Sequence, residues 1–253
     1  MNKIWKEKLY IHFLMEAIGL GIFMISAGFF SILLYHPHFE PAFFMTHPLL
    51  RQILIGLCMG TTAFCIITNP WLSKSGAHIN PAITLNFLYL GRISALESVG
   101  YILSQFVGGV LGLELLNLFM GSYLSSNYIH FIVTVPGPQG PLTALILELA
   151  IAFILMTVVL NLGKSDKTRK YTPYVVALLV SLYAAFESPY SGFGMNPART
   201  FASAFLSGTW TDYWIYLFCP ILGMFTASFL FTKTGSIHLI GHGKLGHKLM
   251  TGK

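Results

Sequence analysis

One ten-residue pattern in this chain occurs twice. Residues 75–84 are Ser-Gly-Ala-His-Ile-Asn-Pro-Ala-Ile-Thr, and residues 191–200 are Ser-Gly-Phe-Gly-Met-Asn-Pro-Ala-Arg-Thr, identical at six positions. Each copy opens a short apolar helical pattern, at 82–90 and 198–206. Six longer apolar stretches surround them, at about 11–35, 52–69, 95–119, 142–162, 171–186 and 213–232. A helix rises ~1.5 Å per residue and the hydrocarbon of a bilayer is ~30 Å thick, so about 20 apolar residues make a span. The two short patterns fall short of that. Three spans separate the copies, and an odd number reverses the direction of the chain. The expected fold is all-α: six transmembrane helices plus two re-entrant half-helices, an inverted repeat of residues 9–121 and 140–234 within one transmembrane domain. Glu16 and Glu148 extend the correspondence, each one span ahead of its copy. So do Gln105, 25 residues after Asn80, and Pro220, 24 after Asn196.

Composition agrees with a lipid solvent. Only 9% of the 253 residues are charged, against about 25% in a soluble domain. The net charge of +6 does not form a nucleic-acid patch, because the basic residues sit in short segments between apolar runs. Thirteen of the 15 Lys and Arg fall at the termini and in the second and fourth connections, and the long third connection has none. By the positive-inside rule both termini are cytoplasmic. Residues 11–35 exceed a signal-peptide core and lack a cleavage site, so they are expected to remain as a helix. Cys58, Cys65 and Cys219 lie inside apolar runs as packing residues. The histidines at 36, 38 and 47 and at 238, 242 and 247 lack a ligand partner set, so solvated side chains are expected there and no metal. No motif for a cofactor appears.

Asn-Pro is an ordinary helix start, since Asn caps free N–H groups and Pro suits the first turn. Two copies at inverted positions mean more. Half-helices of about 10 residues reach ~15 Å each, so two meeting head to head cover the hydrocarbon. Their N-termini, each worth about half a positive charge, would then oppose cations at the midplane. Asn80 and Asn196 offer amide donors to a passing oxygen. Arg199 adds a full charge beside them. Snorkelling to headgroups is its alternative role, and a pore role is favoured. Such a pore passes neutral solutes and rejects protons and cations. Glu16 and Glu148 could serve as proton relays, but their symmetric placement favours holding the backbone of a re-entrant loop. His78 is expected to line the cytoplasmic vestibule or to pack.

The two Asn-Pro-Ala boxes (Asn80-Pro81-Ala82 and Asn196-Pro197-Ala198) are accompanied by Arg199, by Glu16 and Glu148, and by a Ser-Gly ahead of each box. Together they resemble the aquaporin (major intrinsic protein) family over residues 9–232. The resemblance implies a right-handed bundle, assembled as a homotetramer with one pore per subunit. It also implies an outer selectivity filter of four positions: Arg199, Phe193, Ala184 and either Met59 or Gly60. Water-selective members usually carry His where this chain has Ala184 and Phe at the span-two position. The small Ala184 at the span-five position, with Phe193 in the loop, is closer to glycerol-conducting members. Thr200 and Ala204 depart from those members, which usually have Asp and a basic residue; Tyr216 is water-like, Leu217 glycerol-like. The third and fourth connections lack the insertions common in glycerol channels.

The expected function is a passive channel in a cell membrane for water, with a filter wide enough for other small neutral solutes, and excluding ions. Alternatives are a glycerol facilitator and an ion-coupled secondary transporter, for which only Glu16 and Glu148 are candidate coupling acids. No catalytic set points to an enzyme. The expected partners are the bilayer, the solutes and other copies of the chain.

Overall fold

The structure is a computed structural model that describes residues 3–39, 41 and 46–233. His238, His242, His247 and the C-terminal lysines at 244, 248 and 253 lie outside these residues. Among the described residues the long helices are α1 (Lys3–Tyr35), α2 (Pro48–Thr68), α4 (Ala95–Leu124), α5 (Pro141–Leu162) and α8 (Tyr213–Lys233). All five are long and apolar enough to cross a membrane. The two half-helices are α3 (Pro81–Tyr89) and α7 (Pro197–Ser207).

The span expected at 171–186 is not one regular helix. It runs as α6 (Thr172–Leu182), a π-helical segment Tyr183–Glu187 and a last turn Ser188–Ser191, of eleven, five and four residues. Pro189 is the physical reason. It has no N–H for the carbonyl one turn back and its ring crowds that carbonyl, so the helix widens just upstream. The other helix starts follow local chemistry: Pro48, Pro81, Pro141 and Pro197 occupy first-turn positions, and Ser94 with Glu97 forms a capping box for α4.

Helices α1 and α4 pack together, α5 and α8 do the same, and α2 packs on α6. Each half-helix also reaches the long helix of the opposite repeat, α3 against α8 and α7 against α4. Close approach is set by missing side chains. A Cβ on Gly108 would land on the backbone of Ala17, and one on Gly112 on that of Gly21. At the equivalent place a Cβ on Gly223 would strike Leu149. Without water to drive helices together, such backbone contact supplies the packing energy. The outside is the reverse of a soluble protein: Leu118 is 74% exposed and Phe119 81%. Polar side chains such as Glu16, Gln105, Thr84 and Glu148 are fully buried instead. The chain is an integral, multi-pass membrane protein.

Candidate functional site

The two re-entrant loops are built alike from their own sequences. Gly76 (φ 96°) and Gly192 (φ 87°) make the left-handed turn that glycine adopts freely. After each turn the backbone holds left-handed conformations that ordinary residues avoid: Ala77 and Ile79 in the first loop, Phe193 and Met195 in the second. Each costs of order 1–3 kcal/mol and persists only when the surroundings enforce it.

Two buried carboxylates enforce it. Glu16 Oε1 accepts from Ser75 Oγ (2.6 Å) and the His78 amide (3.0 Å), and Oε2 from the Ile79 amide (2.6 Å). Glu148 repeats the pattern, with Oε1 accepting from Ser191 Oγ (2.8 Å) and the Gly194 amide (2.6 Å), and Oε2 from the Met195 amide (2.6 Å). Tyr101 and Tyr216 donate to the carbonyls of Ser75 and Ser191, at 2.8 and 2.6 Å. Bonds to a charged acceptor contribute about 1.5–3 kcal/mol each, enough to offset the strain.

The loops meet. Asn80 Oδ1 caps α3 by accepting from the Ala82 amide, and Asn196 Oδ1 caps α7 through the amides of Ala198 and Arg199. Asn80 Nδ2 donates to Met195 O (2.9 Å), and Asn196 Nδ2 donates to Ile79 O (2.7 Å). Each amide carries two N–H groups, so this reciprocal cross-link leaves one on each Asn. The sequence alone had offered both to a passing solute. The two helix N-termini are thereby fixed head to head.

Two cavities adjoin this junction. One, of about 80 Å³, is lined by His78, Asn80 and Asn196 and by apolar side chains such as Val176 and Val180. The other, of about 410 Å³, is wider and lies toward the opposite end, lined in part by Met59, Ala184, Ser31 and Gln52. Phe23, Phe193 and Arg199 line both. The two cavities adjoin at these three side chains, with Ala184 and Met59 lining the larger one. Gly60 is elsewhere: it faces α6, where a Cβ would collide with Ser181. His78 is 3% exposed; its Nδ1 lies 3.1 Å from Thr84 Oγ1, and Gln105 Nε2 donates to both Thr84 Oγ1 and Glu16 Oε2. The second copy has Gly194 and Pro220 at the corresponding places, so the polar set is confined to one half of the path.

The profile of the major intrinsic protein family matches residues 3–231. The chain belongs to this family. Among its relatives, a probable aquaporin TIP4-1 of Oryza sativa subsp. japonica is 31% identical over 173 residues, covering 67% of each chain. Aquaporin-4 of Bos taurus is 32% identical over 184 residues, covering 71% of this chain and 55% of its own. The chain thus spans about two thirds or less of the length of these curated relatives. In three dimensions it is similar to the aquaglyceroporin of Plasmodium falciparum, with a TM-score of 0.77 at 21% identity, covering 91% of this chain and 98% of the other. That likeness establishes the fold.

Phe23, which lines both cavities, is the residue the sequence did not reveal. It carries no polar signal, but it lies on one helical stripe with Glu16, Leu20, Ala27 and Ser31, spaced three and four apart. That stripe, followed from Glu16, is the signal that would have found it. The third connection is the other omission. Tyr128, Ile129, Ile132 and Val133 line the wide cavity, next to a left-handed stretch at His130, Phe131 and Ile132. Among the described residues no group of three or more His, Cys, Asp or Glu stands together as a metal would require. His36 and His38 pack instead against the Tyr123 ring.

Proposed function

We propose that the chain is a passive channel for water and for small neutral solutes such as glycerol, and that it excludes protons and other ions. One observation carries this reading: two Asn-capped half-helices cross-linked head to head, with one amide N–H left on each Asn. Two helix N-termini at one point raise the energy of any cation there. A water accepting from both amides is oriented away from the relay geometry that proton transfer needs. Asn80, Pro81, Ala82, Asn196, Pro197 and Ala198 are the junction, and Arg199, Phe193, Ala184 and Met59 the filter. Ala184 in place of a bulky donor leaves room for a solute larger than water. Glu16 and Glu148 hold the loops, and all four of their oxygens are occupied, which argues against ion coupling.

In this reading residues 9–121 and 140–234 are the two repeats, both termini are cytoplasmic, and the membrane is the cell membrane. The assembly is a homotetramer. A cavity of about 440 Å³ on the membrane face between α1 and α2 supports it, lined partly by Ser26, Cys58, Thr61, Thr62 and Cys65. Small and polar side chains at bilayer depth suit contact with another helix. Proteoliposomes in a stopped-flow osmometer test the function, with an internal pH dye recording protons. The protein is expected to accelerate water and, more weakly, glycerol without proton flux. A proton current that scales with water flux overturns the reading.

A further inference from the structure

Glu114 of α4 points out of the bundle. It shares a stripe with Val107, Leu111 and Leu118 at helical spacing, and all four are exposed. Its depth follows from a contact lower in the same helix. A Cβ on Gly109 would lie 3.3 Å from Ala198 O, so that turn of α4 is level with the junction of the half-helices. Glu114 is five residues farther along, ~7.5 Å at 1.5 Å per residue. Hydrocarbon extends ~15 Å to either side of its centre. Beyond Glu114 the helix continues to Leu124, and Leu115, Leu118 and Phe119 are exposed apolar side chains. The carboxylate therefore lies inside the apolar band, too deep for so short a side chain to reach the headgroups.

It has little company there. Asn117 Nδ2 donates to Glu114 Oε2 (3.2 Å). Glu114 has no other hydrogen bond and no ion pair among the described residues. An acid at this depth is costly unless it faces the bundle interior, a water-filled cavity or a partner. Glu114 faces lipid, and it lines neither cavity of the pore. Asn117 Oδ1 accepts no hydrogen bond among the described residues. A Cβ on Gly121 would lie 2.9 Å from that oxygen. The missing side chain leaves a low place on α4 where another helix can come close.

We propose that Glu114 and Asn117 dock a second membrane-spanning helix that carries one Lys or Arg at this depth. Charge decides the occupant. A cation makes a charge-assisted hydrogen bond to the carboxylate, stronger in hydrocarbon than in water, and Asn117 Oδ1 accepts from a second N–H of the same group. Another copy of this chain fits poorly. Like faces would bring carboxylate to carboxylate. The Lys and Arg of the described residues lie at the opposite end of the bundle, apart from Arg51 near the start of α2 and Arg199 beside the pore.

Energy transfer in phosphatidylcholine vesicles tests this. The full chain carries a donor dye at its C-terminus, and the acceptor is on one of three model spans: polyleucine, the same span with one Lys five residues from its centre, and the same span with one Glu there. The Lys span is expected to bind about tenfold tighter than polyleucine, and the Glu span no tighter. Glu114→Leu should abolish the preference and Glu114→Gln, which keeps the shape without the charge, should reduce it by more than half. Asp166→Asn, an acid at the end of the bundle, should leave it intact. Equal binding of the three spans, a full preference in Glu114→Leu or Glu114→Gln, or its loss in Asp166→Asn overturns the proposal. Energy transfer between copies of the chain that Glu114→Leu removes overturns it in favour of a second copy.

Discussion

Replacing each loop-holding carboxylate by its amide should not cost the same in the two repeats. Glu148→Gln keeps the shape and exchanges one acceptor oxygen for an NH₂ donor. The least damaging orientation keeps the oxygen toward Ser191 Oγ and the Gly194 amide and turns the new NH₂ against the Met195 amide. One charge-assisted bond is lost, and a backbone N–H is stranded in a buried loop. The cost is about 1.5–3 kcal/mol. Glu16→Gln meets a different neighbour. Gln105 donates to Glu16 Oε2, and its own Oε1 has no partner. Turning the Gln105 amide over presents that oxygen to the new NH₂, but the turned amide no longer donates to Thr84 Oγ1, so one hydrogen bond, about 1 kcal/mol, is lost beyond the stranded Ile79 amide.

The assay is thermal unfolding of the purified variants. At about 2–4 °C per kcal/mol for a chain of this size, Glu148→Gln should lower the midpoint by about 3–12 °C. Glu16→Gln should fall about 2–4 °C further. Permeability should separate them as well, because only the second loop carries Phe193 and Arg199. The ratio of glycerol to water flux should rise in Glu148→Gln and stay near the parent in Glu16→Gln. A Glu148→Gln midpoint equal to the parent's, or a Glu16→Gln loss smaller than that of Glu148→Gln, would refute the reasoning.

Asn80→Ala and Asn196→Ala each remove a helix cap worth about 1 kcal/mol together with one bond across the junction. Because those bonds are reciprocal, the double variant should lose less stability than the two singles combined, by about 0.5 kcal/mol or more in a thermal double-mutant cycle. Ala184→His should lower glycerol flux relative to water by stopped-flow light scattering, since it adds bulk to the wide cavity; an unchanged ratio would remove Ala184 from the filter. Arg199→Ala should weaken cation exclusion, read as a cation leak in voltage clamp. Gly60→Ala drives a methyl into Ser181 and should cost about 1–3 kcal/mol by overpacking. Gly91→Ala, at φ 67° with open space around it, should cost no more than about 1 kcal/mol, measured on the same melts.

The sequence by itself determined the solvent, the number of spans and the antiparallel repeat, because all three rest on apolar length and on the parity of spans between two ten-residue copies. It also marked Asn80, Asn196, Glu16 and Glu148, since a buried polar residue in an apolar run is costly and therefore conspicuous. Contacts between distant segments were not legible. That Asn80 and Asn196 each spend one N–H on the opposite loop depends on where two half-helices more than a hundred residues apart come to rest. The choice between Met59 and Gly60 turned on helix rotation: α2 packs so closely on α6 that Gly60 is consumed by that contact and Met59 is turned to the cavity. Phe23 was silent for the same reason, an apolar residue among apolar residues whose role comes from the face it presents. Local chemistry names elements and caps. Which side of a helix meets a neighbour, and which meets the pore, is settled only when all the helices have packed.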